Sequence, residues 1–299
     1  MAVFSGKLDK LTTTLELGFG APCDDLATRI RQGLGRPAYL VGSGGSVVAA
    51  EFAAQCRRTL NAAPSVVQTP LDFVVGHEHL RDGEVWLFSA RGENADILAA
   101  LTAARERGAQ RVCVLTARVN SRLAAHAGML GASVFAAPVV DERDGFLATH
   151  SLAASIAMWW RASDLASGGG GDAGAAAFLE RAAHLLSKPH RDELREAMAP
   201  MSDDRTLILL SDPRLSAAAV LIETSAWEGA LAAVQRTDFR NFAHGRHVWL
   251  AQRPQTMVLA LTGDDADPIW RNLADAMPAQ IPRVAFNYGD CGRFASAIE

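Results

Sequence analysis

Two hydrophobic patterns alternate along the first half of the chain. Short, nearly continuous apolar runs are typical of strands that are buried on both faces of a parallel sheet. Such runs cover residues 37–44, 65–69, 85–89, 112–116 and 133–139. Between and after them, apolar residues recur at the spacing of helices that bury one face. These helical segments cover residues 47–60, 94–107, 121–127 and 147–166.

The second half repeats the alternation in a shorter form. Helical spacing over residues 178–198 is interrupted at Pro189, because proline disrupts a helix interior. The later segments are predicted as strand, helix, strand, helix and strand, over residues 206–211, 215–233, 256–262, 268–277 and 284–288. Consecutive glycines at 168–171 are typical of a flexible connector. We therefore expect one unit over residues 20–166, a connector over 167–177 and a second unit over 178–299.

The alternation of strands and helices predicts the α/β class, with parallel strands covered by helices on both faces. Crossover connections between parallel strands are right-handed, so a doubly wound sheet, like those that bind nucleotides, is the expected form. Ligands of such sheets bind at the carboxyl ends of the strands. The first glycine-rich turn lies at such an end, so we expect a binding site there.

The composition excludes several other classes of protein. The 299 residues are 49% hydrophobic and 21% charged, which is too apolar for a disordered chain. A net charge of -4 without a basic cluster argues against a nucleic-acid partner. No apolar run reaches the length of a membrane span, and residues 1–17 lack the core of a secretory signal, so we expect a cytoplasmic protein. The four scattered cysteines are therefore expected to be reduced and mostly buried.

The first candidate site is the turn at residues 42–46, with the sequence GSGGS, in which Ser43, Gly45 and Ser46 are candidate ligand contacts. Backbone N–H groups and the positive end of a helix dipole converge at a turn between a strand and a helix, and bind anions such as phosphate. A dinucleotide fingerprint would need a third glycine where Val47 stands, and a nucleotide P-loop would need a lysine, so neither motif is present. The alternative is a structural turn in which Ser46 caps the helix.

A second turn of the same kind follows the strand predicted over residues 85–89. Ser89 and Asn94 offer neutral polar groups there, and Arg91 offers a planar guanidinium that suits phosphate or carboxylate. Two polar turns at the carboxyl ends of one sheet favour a shared anionic ligand. The alternative is an ordinary helix cap at Asn94 beside a solvated Arg91.

A third candidate consists of Glu228 and His244, which Gly245 follows. A carboxylate can move a proton on carbon while an imidazole serves a hydroxyl or ring oxygen. The alternative is a solvated glutamate on a helix and a structural histidine.

Two short histidine clusters have a spacing at which imidazoles can share a face and bind a metal ion. They are His77-Glu78-His79 and His244 with His247, and neither has a convincing third ligand nearby in the sequence. We therefore expect no metal site.

Taken together, these segments resemble the SIS (sugar isomerase) family, as two tandem units that cover most of the chain. VGSGGSVVAAEFAAQ is similar to the family's GxGxS loop and the helix after it, and VWLFSARGENADILAALTAARERGAQRVCVLT to its second phosphate loop and helix. NSRLAAHAG and GFLATHSLAASIA are similar to later family segments. Glu228 and the His244-Gly245 pair, sixteen residues on, resemble the Glu and His-Gly of the isomerase domain of glucosamine-6-phosphate synthase.

The resemblance implies a five-stranded parallel sheet flanked by helices in each unit, and a phosphorylated sugar as ligand. It places Gly45 and Ser46 in the first phosphate-binding turn and Ser89 in the second phosphate loop. It assigns proton transfer between C1 and C2 to Glu228. It assigns the opening of the sugar ring to His244, which in relatives often comes from a neighbouring subunit.

The chain departs from the family pattern at several positions. Arg91 and Asn94 stand where relatives have a serine and a threonine, so a full charge is added to the second loop. Ser225 and His150 stand at or near places of family lysines, and residues 293–299 lack the lysine of the synthase tail. Because the whole chain has three lysines, amino transfer through a lysine is not expected.

The resemblance and these departures from it imply two alternative functions. The first is a cofactor-independent aldose–ketose isomerase or deglycase that acts on a sugar phosphate, including an amino sugar or an amino-acid conjugate. The second is a non-catalytic sugar-phosphate sensor, which the missing lysines favour.

A homodimer is also expected, because the apolar helices at residues 147–166 and 215–233 suit an interface between subunits. The Trp159-Trp160 pair and Trp227 are predicted to lie in the core or in that interface.

Overall fold

The computed structural model describes residues 6–77, 79–140, 144, 147, 149–170, 172–202 and 204–289. The chain divides into two compact units, with the boundary between Ala183 and His184. Each unit contains a parallel β-sheet flanked by helices, so the predicted α/β class is confirmed. None of the described helices is long and apolar enough to cross a membrane.

The sheet of the first unit has five parallel strands in the order β2-β1-β3-β4-β5. Their bounds are Ala38–Val41 (β1), Ser65–Gln68 (β2), Glu84–Ser89 (β3), Arg111–Thr116 (β4) and Ser133–Ala136 (β5). Each strand falls on a run predicted from the sequence. In β1, Leu40 lies opposite Val67 on one side and opposite Trp86 on the other. The chain therefore continues from β1 to β2 on one flank of β1, and then returns to form β3 on its other flank.

Seven helices are described in this unit before the boundary helix. They are Leu11–Gly20 (α1), Asp24–Gly33 (α2), Gly45–Thr59 (α3), Pro70–Val75 (α4), Ala95–Glu106 (α5), Arg122–Met129 (α6) and His150–Ala166 (α7). The helical spacing of the sequence predicted α3, α5, α6 and α7, but not the other three. α7 packs against α1, α2 and α3.

The second unit has four described parallel strands in the order β7-β6-β8-β9, one fewer than the family resemblance implied. Their bounds are Thr206–Ser211 (β6), Ala233–Thr237 (β7), Thr256–Thr262 (β8) and Arg283–Asn287 (β9). The helices are Asp172–Leu185 (α8), which crosses the boundary, then Lys188–Ala197 (α9), Ser216–Glu228 (α10), Phe239–Asn241 (α11), Val248–Gln252 (α12) and Asp267–Ala276 (α13). The strand order repeats the scheme of the first four strands of the first unit.

Two predicted segments differ from the structure. α8 begins at Asp172, inside the predicted connector, because the alanine-rich stretch that follows the glycines favours a helix. The predicted helix over residues 215–233 ends at Glu228, because Ala230 adopts the left-handed conformation (φ 49°) that terminates helices and leads into β7. The predicted break at Pro189 is confirmed, since α9 begins at Lys188 with that proline in its first turn.

The tryptophans occupy different environments. Trp159 is buried in the first unit and packs edge-to-face on Trp86, with ring centroids 4.7 Å apart, so it belongs to the core. Trp227 is 69% exposed. Trp227 therefore does not lie in the core, and its location in a subunit interface stays a prediction.

Three of the cysteines are free and buried, as predicted: Cys23, Cys56 and Cys113. Burial raises the pKa of the Cys113 thiol to about 12, so it is protonated and unreactive at neutral pH. Cys291 lies outside the described residues.

An ion pair is buried in the first unit. Nη1 of Arg57 lies 2.6 Å from Oε1 of Glu84, and both side chains are almost completely excluded from solvent. Arg57 also donates hydrogen bonds to the carbonyl oxygens of Gly33 and Arg36. Burial raises the pKa of Glu84, and the nearby Arg57 acts in the opposite direction. The pair ties the end of α3 to the start of β3 and to the segment after α2.

Replacing Arg57 by methionine should destabilise the first unit by about 3–5 kcal/mol, because Glu84 would stay buried without its partner. Equilibrium unfolding in urea measures the change. Arg58→Met is the matched control, since Arg58 is exposed, and it should change the free energy of unfolding by less than about 0.5 kcal/mol. Equal effects of the two substitutions would contradict this role of the buried pair.

Candidate functional site

The glycine-rich turn at residues 42–46 joins β1 to α3. Gly42 is required there, because a Cβ at this position would lie 2.5 Å from the carbonyl oxygen of Ser46. Helix α3 begins at Gly45, and its N-cap is Gly44, without any side-chain cap. The alternative in which Ser46 caps the helix is therefore wrong. The open end of α3 keeps the positive end of its dipole available to an anion.

The serine hydroxyls of this turn are not used to hold the fold. Among the described residues, neither Ser43 nor Ser46 has a side-chain hydrogen-bond partner. Both side chains line a cavity, together with Gly45. Their hydroxyl groups can therefore bind a ligand without loss of an internal contact.

The second turn, at residues 89–94, is held in a fixed conformation. Ser89 Oγ accepts a hydrogen bond from the backbone N–H of Gly92 (3.1 Å). Gly92 has φ 66°, and a Cβ on it would lie 2.6 Å from Cβ of Ser121, so only glycine fits. Asn94 is the N-cap of α5, and its Oδ1 accepts from the backbone N–H of Asp96 (2.8 Å).

The same turn is fastened to the start of α6. The Gly92 carbonyl oxygen accepts a hydrogen bond from the backbone N–H of Leu123 (2.9 Å). Oε1 of Glu93 accepts another from the backbone N–H of Arg122 (3.1 Å). These bonds to an adjacent helix hold the turn in place beside the cavity.

Arg91 is exposed at this turn. In the part of the chain that the structure describes, its guanidinium has neither an ion-pair nor a hydrogen-bond partner. It therefore presents an uncompensated positive charge to the cavity that it lines.

All six binding residues predicted from the sequence line one cavity of about 190 Å³. They are Ser43, Gly45, Ser46, Ser89, Arg91 and Asn94. The cavity lies at the carboxyl ends of β1 and β3, between which the direction of strand succession reverses. Doubly wound sheets bind their ligands at such switch points. The fold and the side chains therefore indicate the same place.

Helix α7 supplies a further wall of the cavity, which the sequence did not reveal. Ser151, Leu152 and Ser155 line it from this helix. Ser151 and Ser155 are buried. Two serines one helical turn apart on a largely apolar helix were the available signal, because polar residues on a buried face need partners.

The N-terminus of α7 is held by the carboxylate of Asp144. Its oxygens accept hydrogen bonds from the backbone N–H groups of His150 (3.0 Å) and Ser151 (2.8 Å), and Oδ2 also accepts from the Ser151 hydroxyl (2.6 Å). Burial acts to raise the pKa of Asp144, but the hydrogen bonds from Ser151 and His150 outweigh it and the pKa is lowered. Lys7 lies 3.5 Å from the same carboxylate.

His150 and Ser225 stand at or near places where the resembled family has lysines. His150 is buried, and its Nδ1 lies 2.7 Å from Oγ1 of Thr14. Ser225 lies half-buried on α10.

The two predicted catalytic residues belong to the second unit. Glu228 is the last residue of α10, before β7, and it is exposed. His244 is exposed in a π-helical turn, Phe242–Arg246, that follows β7, and Gly245 there has φ 144°. Strand β7 thus separates the two in the chain, and the described residues include no hydrogen bond between them.

The histidine clusters gain no support as metal ligands. Glu78 lies outside the described residues, and His244 and His247 are both exposed. Across the described residues, no three His, Cys, Asp or Glu side chains come together in a way that could hold a metal ion.

No protein-family model and no curated protein matches the sequence significantly. Solved structures do share the fold. Glucosamine-6-phosphate deaminase from Thermotoga maritima has a TM-score of 0.73 at 16% identity, over 98% of this chain and 88% of that one. Tagatose-6-phosphate ketose/aldose isomerase from Escherichia coli has a TM-score of 0.71 at 13% identity, over 98% and 88%. The C-terminal domain of glucosamine-fructose-6-phosphate aminotransferase from Francisella tularensis has 0.71 at 14%, over 97% and 88%.

Replacing Asp144 by asparagine should lower stability at neutral pH by about 1–3 kcal/mol, because a buried charged acceptor of several hydrogen bonds is lost. The folded-state pKa of Asp144 lies below that of the unfolded chain, about 3.9. Its contribution is therefore present above the unfolded-state pKa and is lost as pH falls through the folded-state value.

Urea unfolding at pH values from 3 to 7 measures this dependence. The variant should lose less stability on acidification than the parent protein. Asp82→Asn, at an exposed position, is the control and should leave the profile unchanged. An unchanged profile for Asp144→Asn would show that its carboxylate does not anchor α7.

Proposed function

We propose that the cavity of the first unit binds the phosphate group of a sugar phosphate. The observation that carries the proposal is the convergence of the two turns on one cavity at the switch point of the sheet. The open end of α3, the charge of Arg91 and the hydroxyls of Ser43 and Ser46, which have no partner among the described residues, all suit an anion. The three structures named above that share the fold are all named for sugar phosphates, which agrees with this ligand class.

The activity that we propose is an aldose–ketose isomerisation or a deglycase reaction, without metal or organic cofactor. Glu228 would transfer a proton between C1 and C2 of the sugar, and His244 would open the sugar ring. The exposure of both side chains leaves them accessible to a substrate. We further propose, as the family resemblance implies, a homodimer in which His244 of one copy completes the site with Glu228 of another.

A second candidate function is a sugar-phosphate sensor without catalysis. One observation favours it: the place of a family lysine is taken by His150, which is buried and has its Nδ1 2.7 Å from Oγ1 of Thr14. Both functions share the phosphate site, so phosphate binding tests their common part and isotope exchange separates them.

Arg91→Gln should weaken binding of fructose 6-phosphate by about ten- to a hundredfold, because a charge-assisted hydrogen bond contributes about 1.5–3 kcal/mol. Isothermal titration calorimetry measures the dissociation constant. Arg81→Gln is the matched control, since Arg81 is exposed and does not line the cavity. If inorganic phosphate and sugar phosphates all fail to bind the parent protein, the proposed function is wrong.

Glu228→Gln should abolish the exchange for deuterium of the hydrogen on C2 of a bound aldose phosphate, or on C1 of a bound ketose phosphate, because an amide cannot act as the base. NMR of glucose 6-phosphate, fructose 6-phosphate and glucosamine 6-phosphate in deuterated water follows this exchange. Glu196→Gln, at an exposed site on α9, serves as the control and should exchange normally. Exchange at the parental rate in Glu228→Gln would sink the catalytic assignment, and binding without any exchange in the parent protein would identify a sensor.

A further inference from the structure

Two turns, at residues 42–46 and 89–94, present hydrogen-bond donors to the cavity and form its donor turns. Ser89 Oγ accepts from Gly92, so its own proton is free to be donated outward. Oδ1 of Asn94 is occupied by the backbone of Asp96, so its Nδ2 group is the part that is available. The guanidinium of Arg91 has donors only. This side of the cavity therefore suits a ligand group that is rich in acceptors, as a phosphate is.

Helix α7 presents the opposite character. The Ser155 hydroxyl has one proton, which it donates to the carbonyl oxygen of Ser151 (2.8 Å). The Ser151 hydroxyl donates its proton to Oδ2 of Asp144 (2.6 Å). Each hydroxyl keeps only lone pairs for a ligand. Both residues are buried and both line the cavity.

The direction of these two internal bonds is fixed by their partners. A backbone carbonyl oxygen and an ionised carboxylate only accept hydrogen bonds, so each serine must be the donor. The hydrogen bonds of Asp144 lower its pKa, which keeps it ionised at neutral pH. In the conformation that the structure shows, the α7 wall therefore offers a ligand hydrogen-bond acceptors from Ser151 and Ser155.

We propose that Ser155 determines specificity for the non-phosphate part of the ligand, by accepting a hydrogen bond from one of its hydroxyl or amino groups. The inference rests on the proposed phosphate site and adds the orientation of the ligand within it. The acceptor-rich phosphate lies against the donor turns, and an O–H or N–H group of the sugar faces α7. The cavity thereby distinguishes a phosphorylated polyol or amino sugar from phosphate alone.

The test compares two kinds of ligand on the full chain by calorimetry. Inorganic phosphate probes the donor turns alone, and fructose 6-phosphate, glucose 6-phosphate and glucosamine 6-phosphate probe both sides. At least one sugar phosphate should bind more tightly than inorganic phosphate. Ser155→Ala should weaken that sugar phosphate about three- to tenfold, the size of one hydrogen bond, and should change the dissociation constant of phosphate by less than about twofold.

Two further variants complete the design. Ser155→Cys keeps nearly the same shape with a weak acceptor, so it should reproduce the loss. Ser163→Ala removes a buried hydroxyl from the same helix at a position that does not line the cavity, so it should leave both affinities unchanged. Ser46→Ala should weaken both kinds of ligand, because Ser46 belongs to the donor turns.

The outcomes distinguish the role of Ser155 from the phosphate site itself. Equal losses for phosphate and sugar phosphate in Ser155→Ala, or no loss for either, would overturn the role of Ser155 while the phosphate site stands. Sugar phosphates that bind no more tightly than phosphate would overturn it as well. If no probe binds the parent protein, the proposed function fails first, and this inference fails with it.

Discussion

The parallel pairing of β1 with β3 is the constraint on which the candidate site depends. β1 lies between β2 and β3 and pairs in parallel with β3. The carboxyl ends of β1 and β3, at Val41 and Ser89, therefore lie side by side. Each of the two following turns alone is an ordinary connection between a strand and a helix. Only their adjacency brings the open end of α3 and the guanidinium of Arg91 to the same cavity.

Helix α7 gives that cavity its second chemical character. It packs against α1, α2 and α3, and its Trp159 packs on Trp86 of β3, so the wall it forms is set by helix packing as well as by the sheet. Its first turn is fixed by the carboxylate of Asp144, which also orients the hydroxyl of Ser151. A single polar anchor thus connects the stability of the helix end with the hydrogen-bonding direction of a residue in the cavity.

The sequence predicted most of what depends on local pattern. The strands of the first unit and the turns at residues 42–46 and 89–94 have short-range signals, namely apolar runs that end in glycine and polar residues. Strand β7 was missed because only Val234 is buried in it and helical spacing continues past Glu228. Ser151 and Ser155 were missed for a different reason: their spacing indicates a shared face of α7, but which face lines the cavity depends on how α7 packs.

The bonds between the second turn and the start of α6 have a consequence for recognition. The turn is ordered by Leu123, Arg122 and the positive φ of Gly92 whether or not a ligand is present. The conformational entropy of that loop is therefore lost when the chain folds and not when a ligand arrives. Such a turn acts as a rigid template, so selectivity at this side of the cavity is a matter of fit to a preformed shape, not of loop closure around the ligand.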